Sequence, residues 1–252
     1  MSYLPNRNYF YEVSTGRITG KSTVHKFGYA SVGTTLQPVC SSGVYQVPTT
    51  LQGLEIVSSS ANDTNGGSGA QTVYVEGIGT GWAVVSETVT MNGLTAVALA
   101  NQYFRIYRWY VVSSGTYASA TAGSHVGTLT IRAAGAGATW STLPISPFPV
   151  GQSLIAAYTV PTGKTARLLN SYLTVDTAKT VDALFFYRPS ADDVSTPYNA
   201  MRLQHYYVGL TGATTFHHDT AEGYTGPCDI GWMAKVSTGT ADVSAEFEFI
   251  LE

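Results

Sequence analysis

The densest group of titratable side chains is His217-His218-Asp219, followed closely by Glu222 and Asp229. Imidazoles and carboxylates in this proximity ligate zinc-class metals or trade protons with a substrate. Spacing decides whether that chemistry is available. Neighbours on a strand point to opposite faces, so two adjacent imidazoles there cannot share one ion, whereas on a loop they can. The expectation is a solvated loop between strands, with no metal assigned. His25, His125 and His205 stand alone in the sequence, and a solitary histidine beside aromatics ordinarily packs or hydrogen-bonds.

Two glycine-rich segments imitate ligand loops. Gly16-Arg-Ile-Thr-Gly20-Lys21-Ser22 resembles a phosphate-binding loop, but it has three residues between its glycines where that mechanism needs four. It also lacks a preceding apolar strand and a following helix whose amides would face phosphate. The segment from Asn62 to Gly69 is rich in oxygen ligands, yet it offers Asp63 as its lone carboxylate before Glu76. Calcium loops alternate several carboxylates and end on a bidentate Glu, so a flexible connection is expected instead. No Gly-x-Ser-x-Gly elbow marks a nucleophile, and the 16 acids show no anchoring pattern for a glycosidase pair. Asp192-Asp193 reads as a surface turn. The chain is read as non-enzymatic, without catalytic residues, metal or cofactor.

Composition narrows the partners. The 252 residues carry a formal charge of -3, and charged residues are 12% of the chain, about half of the ~25% usual in soluble proteins. With a pI near 5.9 and no basic run, direct binding to nucleic acid is not expected. Hydrophobic residues at 44% exclude a disordered chain. Nowhere do 18 apolar residues follow one another, and residues 1–8 hold no secretory leader, so neither membrane nor export is expected. Cys40 and Cys228, the two cysteines, are read as reduced, buried thiols.

Strand periodicity dominates from about residue 44. At the carboxyl end Val243, Ala245, Phe247, Phe249 and Leu251 alternate with Asp242, Ser244, Glu246 and Glu248, as a half-buried strand requires. Ile230, Trp232, Ala234 and Val236 form a matching face, and the turn at 237–240 predicts a hairpin. Asn92-Gly93 predicts a second hairpin with arms 83–91 and 94–99, since that pair tolerates a type I′ turn. Pro161-Thr-Gly-Lys164 marks a third turn between strands at 154–160 and 165–175. Further strands are expected at 54–58, 72–76, 104–112, 128–132, 183–187 and 202–208, and no helix. Composition shifts abruptly over 133–152, which holds Pro144, Pro147 and Pro149. The expected fold is all-β, an antiparallel sandwich or jelly roll, divided into an extended N-terminal arm (1–40), a first sandwich domain (41–140) and a second (141–252). The alternatives are one two-sheet jelly roll with 133–152 as a crossing loop, and residues 1–40 as an edge strand of the first domain.

Tyrosine appears 17 times while lysine is confined to five positions, an imbalance that protein interfaces favour. The stretch Tyr103-Phe104-Arg105-Ile106-Tyr107-Arg108-Trp109-Tyr110 is aromatic on both faces, which places it centrally or against another subunit, with Arg105 stacked between Tyr103 and Tyr107. Tyr3, Leu4, Tyr9, Phe10, Tyr11, Phe27, Tyr103, Tyr107 and Trp109 are the interface candidates. A sugar-binding platform using Trp82, Trp109, Trp140 and Trp232 is the rival use of such rings.

Four stretches carry a resemblance. Val-Ser-Thr-Gly-Arg-Ile-Thr-Gly-Lys-Ser-Thr-Val-His-Lys-Phe from residue 13, Val-Ser-Ser-Ser-Ala-Asn-Asp-Thr-Asn-Gly-Gly-Ser-Gly from residue 57, Ala-Tyr-Thr-Val-Pro-Thr-Gly-Lys-Thr-Ala from residue 157, and the ending over 240–249 occur in order. Together they resemble β-rich virion structural proteins of tailed phages of aquatic bacteria. The resemblance implies a capsid decoration (cement) protein, assembled in the host cytoplasm and located in the virion. Its implied partners are the major capsid protein and itself, as a trimer, with subunit arms tying neighbours together. A neck, tail or head-fibre component with a receptor- or glycan-binding role is the alternative.

Overall fold

Period-two patterning becomes sixteen strands among the residues that a computed structural model describes: 8–117, 123–145 and 151–252, with the backbone alone at 219 and 220. In chain order the first eight are β1 (Ser22–Val32), β2 (Gln37–Pro38), β3 (Gln52–Ser58), β4 (Ala70–Ile78), β5 (Val84–Thr90), β6 (Val97–Tyr103), β7 (Arg105–Ser114) and β8 (Leu129–Ala133). The rest are β9 (Thr139–Leu143), β10 (Ala157–Val160), β11 (Thr165–Val175), β12 (Val181–Arg188), β13 (Arg202–Leu210), β14 (Gly212–Thr225), β15 (Cys228–Val236) and β16 (Ala241–Leu251).

Two sheets come from the middle of the chain, ordered β6-β3-β8-β9 and β5-β4-β7, and enclose Leu54, Ile56, Val73, Val75, Trp109, Leu129 and Ile131. Two more, ordered β1-β16-β11-β14 and β10-β15-β12-β13, enclose Val32, Leu168, Phe185, Trp232, Val243 and Phe247. Alternating apolar residues on facing sheets are what bury a sandwich core, and the protein is an all-β antiparallel sandwich fold. Among the described residues no helix is long and apolar enough to cross a membrane.

Residues 8–40 differ from the expected arm. Residues 22–32 form β1, which pairs antiparallel with β16 from Ser22↔Leu251 to Val32↔Ala241. The strand belongs beside the carboxyl end, in neither an arm nor an edge of the middle sheets. Its period is disguised because the buried face carries Lys26 and Gly28 before Ala30 and Val32. Gly28 is dictated by a close approach: a Cβ there would lie 2.1 Å from the Val39 carbonyl oxygen and 2.3 Å from the Ala156 amide nitrogen. Ahead of β1 a single helical turn and a half, α1 (Tyr9–Ser14), stands where no helix is expected. Asn8 caps it, its side chain accepting from the Phe10 and Tyr11 amides.

All three predicted hairpin turns bend where expected, with Gly93, Gly163 and Gly239 at φ 59°, 75° and 72°. None closes a hairpin. β5 and β6, β10 and β11, and β15 and β16 each fall in facing sheets. The turns arch over the core instead, because turn chemistry is local while the choice of partner strand follows burial of the two flanking faces.

The loop expected to be flexible over 62–69 is built around a buried carboxylate. Asp63 Oδ1 accepts from the amides of Ala70 (2.8 Å) and Val126 (2.9 Å), and Oδ2 from the Gly127 amide (2.8 Å) and the Ser58 hydroxyl (2.5 Å). Four donors already occupy the one carboxylate that the loop offers a calcium ion.

Candidate functional site

β13 and β14 are the outermost strands of their two sheets and lie on the same side of that sandwich, where Tyr207 of β13 stacks on Phe216 of β14 at 3.9 Å between ring centroids. Among the described residues, no strand pairs with the outer edge of either. Alternation on β13 turns His205 and Tyr207 inward and Tyr206 and Val208 into solvent, 47% and 69% exposed, while a register shift against β12 between His205 and Leu203 leaves Leu203 55% exposed as well.

The segment 212–225 is a strand rather than the expected solvated loop. Its threonines and Phe216 suit a pleated, half-buried surface, and cross-sheet packing overrides the polar run. Period two therefore separates the adjacent histidines. His217 faces out, its Nδ1 2.9 Å from Asn170 Oδ1, while His218 faces the opposite sheet. Phe216, His218, Glu222 and Tyr224 share that inner side, and His205 reaches them from β13. His205 Nε2 lies 3.0 Å from Glu222 Oε1, His218 Nδ1 lies 3.6 Å from the same oxygen, and the Tyr224 hydroxyl donates to Oε2 at 2.5 Å. Burial pushes the His218 imidazole below its ordinary value, against the opposing pull of Glu222. Burial also works against the Glu222 charge, but Tyr224 and the two imidazoles outweigh it and hold the carboxyl below its usual range. Sequence reasoning found His218 and Glu222 but set His205 aside as solitary and missed Tyr224. The available signal was the even-numbered face of a strand at 216–224.

A groove of about 900 Å³ lies between α1 and strands β1, β11, β14 and β16, lined by Phe10 and Tyr11 of α1 with His25, Asn170, His217 and His218. Phe10 and Tyr11 are exposed, Tyr9 and Phe27 half-buried, and Tyr3 and Leu4 lie outside the described residues. Three other interface candidates are corrected by the fold. Tyr103 and Trp109 are buried in the core of the middle sheets, and Tyr107 in that of the second pair. A bulge between Glu76/Arg108 and Gly77/Ile106 inserts Tyr107 as an extra residue, so β7 serves two cores within one chain, which is why both its faces are aromatic. Arg105 lies over Trp82 at 5.3 Å rather than between tyrosines. All four tryptophans are buried, so none presents a ring for sugar stacking.

No protein-family model matches the chain, and no curated protein does. Two solved structures align with most of it at 11% identity. The crystal structure of PBSX exported protein XepA covers 89% of this chain and 86% of its own, with a TM-score of 0.19. The Infectious Bursal Virus derived T=1 particles cover 92% and 68%, with a TM-score of 0.24. At these TM-scores neither likeness carries an argument about fold or role.

Proposed function

We propose that the chain is a non-enzymatic structural protein of a phage virion, a decoration (cement) protein that binds as a homo-oligomer between major capsid subunits. The observation that carries this reading is the unpaired outer edge of β13, with apolar side chains exposed along the strand. Natural sheets protect an outer strand with charge, proline or a covering element, because unpaired amides and carbonyls recruit other chains. Here the outward residues of that strand include Leu203, Tyr206 and Val208, well exposed beside an unpaired edge. Such an edge suits pairing with another copy of the chain. The exposed Phe10 and Tyr11 beside their groove supply a separate apolar surface for the shell. The resemblance of four sequence segments to phage virion proteins supports the same reading, and three subunits is the proposed count.

Immunogold labelling of intact particles tests it. Label spread over the head is the expected result; label confined to the vertex or tail overturns the decoration role. Light scattering of the purified chain tests the edge: a trimer is expected from wild type and a monomer from Leu203→Asp/Val208→Lys. A monomeric wild type would remove the edge from the proposal.

A further inference from the structure

We propose that His205, His218 and Glu222 form a zinc site that ties β13 to β14 across the open side of the sandwich. Two imidazoles and one carboxylate are a donor set zinc accepts, each group offering one atom: His205 Nε2, His218 Nδ1 and a Glu222 oxygen. These atoms all lie within 4.8 Å of one another. Ligand atoms in a tetrahedral zinc shell stand about 3.4 Å apart, given metal–ligand bonds near 2.1 Å. The Glu222 Oε1 distances of 3.0 Å to His205 and 3.6 Å to His218 bracket that spacing.

Three further features favour a metal over an ordinary ion pair. The ligands come from both sheets, His205 from one and His218 with Glu222 from the other, so the ion would cross-link strands that share no hydrogen-bond ladder. The Tyr224 hydroxyl holds Glu222 Oε2, fixing the carboxylate as the outer partners of metal ligands do. Their side chains are 24%, 9% and 35% exposed for His205, His218 and Glu222, so the cluster is partly enclosed yet reachable from solvent. The site is independent of any role in a virion.

The test is calorimetric titration of the chelator-treated full chain with zinc chloride, with X-ray absorption on the loaded wild type. One zinc per chain, micromolar or tighter, in a shell containing two imidazoles is expected. His218→Gln and His205→Gln should each weaken binding at least 100-fold, with folding checked by far-ultraviolet circular dichroism. His217→Gln, on the opposite face, should bind as wild type does. No zinc uptake by wild type, or a shell without two imidazoles, overturns the site even if the substituted chains fail to fold. Undiminished binding by folded His205→Gln/His218→Gln also overturns it.

Discussion

Arg105 and Asp229 form a two-pronged ion pair buried where the middle sheets meet the second pair: Nε to Oδ1 is 3.0 Å and Nη2 to Oδ2 is 2.9 Å. Thr159 adds its hydroxyl to Oδ1 at 2.6 Å, and Arg188 approaches Oδ2 at 3.7 Å. Removing one partner leaves the other buried without its two-pronged counter-charge. Arg105→Met or Asp229→Leu alone should cost about 3–5 kcal/mol, and the double substitution clearly less than the sum. Urea denaturation of the four proteins checks this; additive losses would show that the pair is not coupled.

The Asp63 carboxylate ties the 62–69 loop to residues 126 and 127, more than sixty positions away. Asp63→Ala leaves two buried amides, a buried hydroxyl and the part-buried Val126 amide without their acceptor and should lose at least ~3 kcal/mol. Calcium should leave the wild-type melting temperature unchanged. A calcium-dependent rise would mean the carboxylate is available to a cation after all.

Burial lowers the Lys26 ammonium from 10.5 to about 7, with Arg108 adding to the effect and Glu76 opposing it. Between those values the unfolded chain holds a proton that the folded chain has released, so stability rises with pH across that window. From pH 7 to 8.5 the gain from this group is about 1.5 kcal/mol. The interval from pH 7 to 8.5 lies below the ordinary values of the thiols and tyrosines. Burial raises the Cys40 thiol from 9.0 to about 11 and raises the Tyr103, Tyr107 and Tyr158 phenols as well, so their contributions are lost only as pH climbs past the unfolded values. Urea midpoints at the two pH values should separate for wild type and converge for Lys26→Met.

Gly28→Ala forces a methyl group onto the backbone of Val39 and Ala156, which cannot swing aside as a side-chain tip can. A loss of about 3 kcal/mol or more is expected. Gly33→Ala, whose added carbon meets nothing within 4 Å, should stay within about 0.5 kcal/mol of wild type. Thermal melts of the two proteins compare them directly.

The sequence by itself determined the strand-rich class, most strand positions and the places where the chain bends. Those follow from period-two patterning and from residues such as Gly163 and Gly239 that accept the turn dihedrals. β16 runs from Ala241 to Leu251, where alternation placed it, and β11 from Thr165 to Val175, where the turn at 161–164 placed it. Tertiary structure decided which strands pair. Residues 92–93, 161–164 and 237–240 look like hairpin turns in any local window, yet their flanking strands lie in facing sheets, because each apolar face is buried by the sheet opposite. It also decided that the tyrosine-rich β7 feeds two cores of one chain, and that solitary His205 meets His218 and Glu222. Those meetings depend on a bulge and on packing between distant segments, and neither leaves a mark in local spacing.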